Sequence, residues 1–230
     1  MKTGTILLAL FLLFIFKSYS QDKGYVGISI GPSMPTGDYA SADLSNELAG
    51  LAKTGAIFDI SFGYKLGKNM GLSAMLFSHS NATDSKTIEN GLYDLEPLAS
   101  WTVESKSWSS AGLLFGGYGS FPIGKGSTSF DARAMIGFSS SSSPELRITG
   151  TLNNSSVWVE TASESASTVA YLIGGGFRFN VAPKVCLLVN LDYLTSKPEF
   201  KNVETNTNLG DSSTDTYSQS ISTIVGFGIG

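Results

Sequence analysis

The stretch that decides the fold is Val169–Leu194, which reads VAYLIGGGFRFNVAPKVCLLVNLDYL. A helix this apolar would not hold the three adjacent glycines Gly174–Gly176, because glycine is a poor helix former. With a period of two, residues on either side of Ala182–Lys184 separate into one apolar face and one face of small or polar residues. This alternation predicts two long strands joined by a tight turn. Arg178 and Asp192 both fall on the small or polar face.

The same alternation recurs along the chain and predicts one antiparallel meander of eight strands. The predicted strands are 24–33, 55–65, 69–80, 107–122, 127–140, 166–180, 184–195 and 217–230. Tight turns near 65–69, 123–126 and 181–184 alternate with four long connections near 34–54, 81–106, 141–165 and 196–216. We also expect a short helix over Ser41–Ala52 capped by Ser41, and a hairpin around Asn153-Asn154.

The first twenty residues have the layout of a cleavable secretory signal. Lys2 precedes the apolar run Ile6–Phe16, and the small-residue end Ser18–Ser20 follows it. The run is too short to cross a bilayer as a helix. We therefore expect residues 1–20 to be a signal peptide and residues 21–230 to form one barrel domain beginning at Gln21.

Composition narrows the function classes. The chain has 230 residues, a net charge of -4 and a single cysteine, Cys186. One cysteine excludes an internal disulfide and a cysteine metal site, and its place among strand residues indicates a buried thiol. An acidic chain is a poor partner for nucleic acid.

The alternation leaves two orientations open: an apolar face turned inward in a soluble barrel, or outward into lipid. A solvated face usually carries many Lys and Glu residues. Here the polar faces carry Gly, Ser and a few charges, which are Asp59, Asp131, Arg133, Arg178 and Asp192. Three acids and two arginines suit a network of charge-assisted hydrogen bonds inside the barrel. The pattern favours the transmembrane barrel, with a soluble ligand-binding barrel as the alternative.

Charge placement supports the same orientation. Lys65, Lys68, Lys125 and Lys184 lie in or beside the short turns, which contain no acid. The four long connections hold 15 acids against six bases. Short turns at one end and long loops at the other are typical of a transmembrane β-barrel. The short turns then face the periplasm and the acidic loops face outward.

The sequence resembles the eight-stranded outer-membrane β-barrel proteins of Gram-negative bacteria, in the style of the porin-family barrels of Bacteroidota. The resemblance rests on GYVGISIGPSMPTGDYAS (24–41), IFDISFGYKLGKNMGLSAMLF (57–77) and YLIGGGFRFNVAPKVCLLVNLDYL (171–194). It implies insertion by a barrel assembly machinery that usually recognises a last strand ending in an aromatic residue. This chain ends VGFGIG, with Phe227 three residues before Gly230, so whether Gly230 is the true C-terminus stays open. The resemblance implies no catalytic motif.

Few residues suggest chemistry. The stretch Gly119–Ser127 nearly matches a phosphate-binding loop, but Gly126 replaces the required hydroxyl and no helix follows. His79, with Ser78, Ser80 and Asp84 nearby, is the one candidate for a lipid-modifying or proteolytic rim enzyme, and an ordinary rim residue is the alternative. We expect no cofactor and no metal site, since no second His is present.

Taken together, these patterns predict a monomeric, non-enzymatic outer-membrane barrel with a structural or surface-interaction role. Its expected partners are membrane lipid, lipopolysaccharide and an unknown extracellular ligand. The alternative is a narrow pore or a transporter of small hydrophobic molecules. The lumen charges would then line a gated path, whereas in the structural interpretation they form a salt-bridged plug.

Overall fold

The computed structural model describes residues 23–124, 127–152 and 155–229, and the elements below are those of this part of the chain. Eight strands form the barrel: β1 (Gly24–Pro35), β2 (Gly55–Lys65), β3 (Met70–Asn81), β5 (Trp108–Pro122), β6 (Thr128–Ser142), β9 (Ser165–Ala182), β10 (Val185–Ser196) and β13 (Ile221–Ile229). The long connections hold β4 (Ser100–Ser105), β7 (Leu146–Leu152), β8 (Ser155–Thr161), β11 (Glu199–Thr207), β12 (Ser212–Ser218), a 3-10 helix (Gly37–Ala40) and α1 (Ser85–Leu95).

The barrel closes through pairing of its first and last strands. Going round the wall, the order is β1-β13-β10-β9-β6-β5-β3-β2, and every neighbouring pair is antiparallel. The predicted fold class, an eight-stranded antiparallel up-and-down barrel, is confirmed. Closure matters because a sheet in hydrocarbon cannot leave an edge of unpaired N–H and C=O groups.

The apolar face of each barrel strand points outward. On β9, Tyr171, Ile173 and Phe177 are exposed, whereas Ala170 and Leu172 on the opposite face are buried. The other barrel strands follow the same alternation, and their exposed side chains include Ile28, Phe62, Leu72, Phe115, Ile136 and Leu191. Such a belt is stable only in lipid, so the outward orientation is the correct one.

Beyond the barrel, the long connections build a second sheet. Its order is β12-β11-β8-β7-β4, and α1 packs against β4. The predicted hairpin is confirmed as β7 and β8, although its Asn153-Asn154 turn lies outside the described residues. The strands of the other long connections were not predicted.

The predicted helix over Ser41–Ala52 is wrong. Ser41 instead follows the 3-10 helix, and the chain then runs through local turns. The Asp43 carboxylate accepts a hydrogen bond from the Ser45 backbone N–H, and Asn46 Oδ1 accepts one from the Leu48 N–H. These side chains compete with helical hydrogen bonding. Leu51 then adopts a φ of 51°, which a helix cannot include.

The last predicted strand also began too early. β12 ends at Ser218, and β13 begins at Ile221 after a break at Gln219-Ser220. The Gln219 side chain donates to the Leu48 carbonyl and so fixes this break against the loop of residues 41–52.

The helix that does form, α1, was missed. Its N-cap is Asp84, which accepts a hydrogen bond from the Thr87 N–H and forms a 2.8 Å ion pair with Lys53. That pairing holds the pKa of Asp84 below its usual value. None of the residues of α1 is buried, and Gly91 weakens its helical pattern, so the sequence signal was faint. No helix among the described residues is long and apolar enough to cross a membrane.

Several predictions from the sequence fall on residues outside the described part of the chain. They are the signal peptide of residues 1–20, the mature start at Gln21, the turn residue Lys125 and the terminal Gly230.

The orientation of the wall predicts how an arginine is tolerated along β6. Ala134 lies on the outward face midway between Phe130 and Phe138, whereas Ser140 lies on the same face beyond the apolar belt. We expect Ala134→Arg to lower the free energy of unfolding by about 2–4 kcal/mol and Ser140→Arg by about 0–1 kcal/mol, because the cost of a charge falls from the bilayer midplane to its interface. Equilibrium denaturation in lipid vesicles measures the free energy of unfolding of both variants. An equal loss of stability in the two variants would contradict the assignment of this face to lipid.

Candidate functional site: the lumen and the extracellular sheet

The centre of the lumen holds a buried ion pair between β6 and β10. Arg133 Nε donates to Asp192 Oδ1 at 2.9 Å, and Arg133 Nη2 donates to Asp192 Oδ2 at 2.6 Å. Asp192 is only 1% exposed. A bidentate pair of this geometry is among the stronger charge-assisted contacts in proteins. It passes over β9 and joins two strands that are not neighbours in the wall.

Gly174 on β9 makes room for this pair. It lies between Arg133 and Asp192 in the strand pairing, with its inward side against the Asp192 side chain. A Cβ at this position would collide with Asp192 Oδ1. This explains the first of the three adjacent glycines, because any side chain there would displace the carboxylate from Arg133.

A second ion pair lies nearer the short turns. Arg178 donates from Nε and Nη2 to Asp131 Oδ2, at 2.8 and 2.6 Å. The other carboxylate oxygen of Asp131 accepts from Ser120 Oγ at 2.6 Å. The Arg178 guanidinium also lies 4.8 Å from the ring centre of Tyr25, a cation–π distance. This end of the lumen is therefore filled by paired charges and an aromatic ring.

Asp59 is the one acid of the predicted network without an ion pair among the described residues. It is 4% exposed, and its Oδ1 finds no hydrogen-bond partner there. It lines a cavity of about 10 Å³ together with Ser29, Arg133 and Asp192. That volume is close to the minimum that one water molecule needs. The structure thus pairs four of the five predicted lumen charges and leaves the fifth beside them.

An apolar layer closes the lumen above the charges, and the sequence analysis did not predict it. Its members share inward orientation and contact with one another: Ile57, Met75, Phe77, Leu114, Met135, Ala170, Leu172, Leu194 and Val225. Every barrel strand except β1 contributes to it. A signal was present in the sequence, since Met75 and Phe77 lie on the otherwise polar face of β3 and Leu172 lies on the small or polar face of β9. Such a layer excludes water from the centre of the barrel.

His79 lies above this layer, inside the barrel wall. It is 3% exposed, its Nδ1 is 3.1 Å from Asn81 Oδ1, and its ring stacks on Phe77. Ser78 and Ser80 alternate with it and point to the opposite, exposed face of β3. The structure therefore does not bring His79 together with these two serines, and Asp84 is engaged by Lys53.

A further cluster covers the extracellular mouth. Its buried side chains are Tyr39, Ala52, Trp108, Phe200, Val203 and Ile221. The Trp108 indole N–H donates to the Gly50 carbonyl at 2.9 Å, which ties the loop after the 3-10 helix across the opening. Asn81 links this cover to the wall by donating to the carbonyls of Ser33 and Lys53. The lumen is therefore closed at its outer end as well as in its middle.

The sheet built by the long connections, called the extracellular sheet because the sequence predicts that these connections face outward, carries an open cavity of about 400 Å³ at its α1 edge. Its lining combines apolar side chains, small residues, one acid and two hydroxyl side chains. These residues are Trp101, Val157, Ala99, Gly150, Glu96, Thr151 and Ser155. The Trp101 ring lies over Gly150, and its indole N–H donates to the Glu96 carbonyl at 3.2 Å. Leu95 and Leu98 are next in the chain to the cavity residues Glu96 and Ala99, and they are 82% and 84% exposed. Exposed leucines next to a concave apolar surface are characteristic of a binding site.

Comparison with known proteins agrees with this architecture. The profile of the outer membrane protein beta-barrel domain family matches residues 5–222. No curated protein matches the chain.

Three solved structures are similar over most of their length. The attachment invasion locus protein Ail of Yersinia pestis has 13% identity, covers 90% of this chain and 98% of its own, and gives a TM-score of 0.41. Neisserial surface protein A has 13% identity, coverage of 90% and 94%, and a TM-score of 0.43. A major outer membrane protein of Thermus thermophilus has 8% identity, coverage of 90% and 97%, and a TM-score of 0.48.

The two buried aspartates near Arg133 give a matched prediction. Asp192→Asn removes the charge that Arg133 contacts directly, so we expect it to lower the free energy of unfolding by about 3–5 kcal/mol. Asp59→Asn removes a buried charge without an ion pair, so we expect it to change stability by less than about 1 kcal/mol or to stabilise. Denaturation in vesicles at neutral pH measures the free energy of unfolding of both variants. Equal losses of stability would contradict the prediction, because Asp59 would then stabilise Arg133 as strongly as Asp192 does.

Proposed function

Because the chain belongs to the outer membrane protein beta-barrel domain family and lies in the outer membrane, we propose that it is a non-enzymatic surface-interaction protein. In this proposal the barrel is a monomeric anchor, and the extracellular sheet with α1 binds a ligand outside the cell. We extend the proposal to the finer assignment suggested by the sequence, a porin-family barrel of a Bacteroidota-like bacterium.

The observation that carries the proposal is the contrast between the closed lumen and the open extracellular surface. The lumen is filled by two ion pairs, an apolar layer and the Tyr39–Trp108 cover. The extracellular sheet instead leaves an apolar cavity open and two leucines almost fully exposed. Exposed apolar groups are costly in water and are usually retained where they meet a partner.

The chemistry of the cavity indicates the kind of group it would bind. Trp101 and Val157 offer apolar contact, and Thr151 and Ser155 offer hydroxyl groups at the edge. The surrounding loops are acidic, which favours a partner with neutral or basic character. We therefore propose a ligand that presents an apolar side chain or ring. The position of His79, buried and turned away from Ser78 and Ser80, supports the non-enzymatic assignment.

Transport through a narrow pore is the competing function, and conductance separates the two. With the lumen closed, we expect purified protein in planar lipid bilayers to give no steady conductance. A steady conductance that Arg178→Glu abolishes would contradict the anchor proposal, because Arg178 would then line a conducting path.

Adhesion tests the extracellular surface directly. We expect cells displaying the protein to capture apolar polystyrene microspheres, and the double variant Leu95→Asp/Leu98→Asp to capture about tenfold fewer. Burying one leucine is worth about 1.5–3 kcal/mol, and about 1.4 kcal/mol corresponds to a factor of ten in binding.

Leu48→Asp is the control, because Leu48 is 54% exposed in the loop of residues 41–52 and, unlike Leu95 and Leu98, is not next in the chain to a residue that lines the cavity. Display levels of all variants are equalised by antibody labelling of intact cells. Equal capture by the double variant and the wild type would show that these leucines are not a binding surface.

A further inference from the structure

The lipid-facing wall is interrupted by a groove of about 350 Å³ that runs across the strands where the barrel closes. Pro32 and Met34 of β1 bound one end, and Phe130 and Phe177 bound the other. Gly175 and Gly226 form part of its floor. Five neighbouring strands, from β1 through β13, β10 and β9 to β6, therefore contribute to a single depression in the wall.

Two irregularities in strand pairing coincide with the groove. Between Ser29 and Ser33, β1 advances four residues while β13 advances three, from Gly228 to Val225. Between Leu188 and Leu191, β10 advances three residues while β13 advances two. Each shift leaves one extra residue beside β13, the arrangement of a β-bulge, which bends a strand and disturbs the local wall.

Gly175 keeps the groove open. It lies on the outward face of β9 between Ile173 and Phe177, where neighbouring positions carry large side chains. A Cβ at Gly175 would lie 3.1 Å from the Phe130 ring, so a larger side chain would fill the space beside that ring. The second of the three adjacent glycines therefore shapes the outer wall, as Gly174 shapes the interior.

The position and lining of the groove indicate its occupant. It lies within the apolar belt, and Asn190 is the one polar side chain among its lining residues. A linear hydrocarbon fits such a surface, whereas a sugar or headgroup would find almost no hydrogen-bond partner there. From its location and chemistry, we propose that the groove binds one acyl chain of a phospholipid.

Charge distribution distinguishes a phospholipid from lipopolysaccharide. The short-turn end presents exposed Lys23, Lys65, Lys68 and Lys184 and, among its described residues, no exposed acid. The opposite end carries the 15 acids of the long connections. A phospholipid phosphate is attracted by the lysine end, whereas the phosphates of lipopolysaccharide would meet the acidic end. Phe130 and Phe177 lie in the halves of β6 and β9 that are nearer the short turns, whereas Pro32 and Met34 lie near the long-loop end of β1. The groove therefore runs obliquely across the wall, and its aromatic end lies on the phospholipid side.

Native mass spectrometry of the detergent-solubilised protein, titrated with phosphatidylglycerol, tests the proposal. We expect the wild type to retain one lipid per barrel and Gly175→Leu to retain it at least about tenfold more weakly, since about 1.4 kcal/mol of lost contact produces that factor. The control is Gly117→Leu, on the lipid face of β5, where the nearest atom to an added Cβ is the Gly71 oxygen at 3.7 Å. Gly117→Leu should retain lipid as the wild type does.

A second pair of variants keeps the test valid if Gly175→Leu fails to fold, which gel mobility before and after boiling would reveal. Val189→Phe fills the groove from β10, and Leu187→Phe adds the same ring to the same face outside it. Loss of lipid in Val189→Phe alone supports the proposal. Equal retention by groove-filling and control variants would overturn it. A parallel titration with lipopolysaccharide would also overturn it, if filling the groove weakened lipopolysaccharide binding and left phosphatidylglycerol binding unchanged.

Discussion

Hydrocarbon offers no hydrogen-bond partner, so every backbone N–H and C=O group of a spanning strand has to be paired within the sheet. In this protein that requirement is met by pairing β1 with β13 and closing the wall. Once eight strands close, the enclosed space is narrow enough to be filled by side chains. The outward face is then selected for apolar residues and the inward face for residues that pack or pair in a confined space.

Two kinds of interaction fill that space. From the short turns to the centre of the lumen, Arg178 and Arg133 are each paired with a carboxylate on another strand, because a buried charge without a partner would be costly. Farther out, Met75, Leu114 and Met135 form an apolar layer that needs no polar partners. Glycines such as Gly174 stand opposite large inward side chains, so small and large residues alternate across the lumen. The result is a lumen filled by side chains from its short-turn end to its middle.

The barrel strands were predictable because alternation is a local property of the sequence. The predicted ends of β2 are the observed ones. For the other barrel strands except β13, each predicted end lies within about two residues of the observed end. The partners of the lumen charges were not predictable, since the contact of Arg133 with Asp192 depends on the register of β6 and β10 against β9. The apolar layer was missed for the same reason.

The extracellular elements were harder to predict for a different physical reason. β12 reads SSTDTYS, is polar on both faces and is almost wholly exposed, so it shows no alternation. α1 buries none of its residues and carries a glycine in its middle. The loop of residues 41–52 resembled a helix in composition, but its Asp43 and Asn46 side chains favour turns. These elements depend on tertiary contacts that a single sequence does not display.

The native methionines allow the most direct test of a filled lumen within a lipid-facing wall. Met75 and Met135 lie inside at 0% and 5% exposure, and Met34 lies on the outer wall. In lipid nanodiscs, methyl NMR of the otherwise unmodified protein would be recorded with a water-soluble gadolinium chelate and then with doxyl-labelled lipid. We expect doxyl lipid to broaden the Met34 signal and the chelate to broaden neither the Met75 nor the Met135 signal. Broadening of the Met75 and Met135 signals by the chelate would reveal a water-filled lumen and contradict the filled interior.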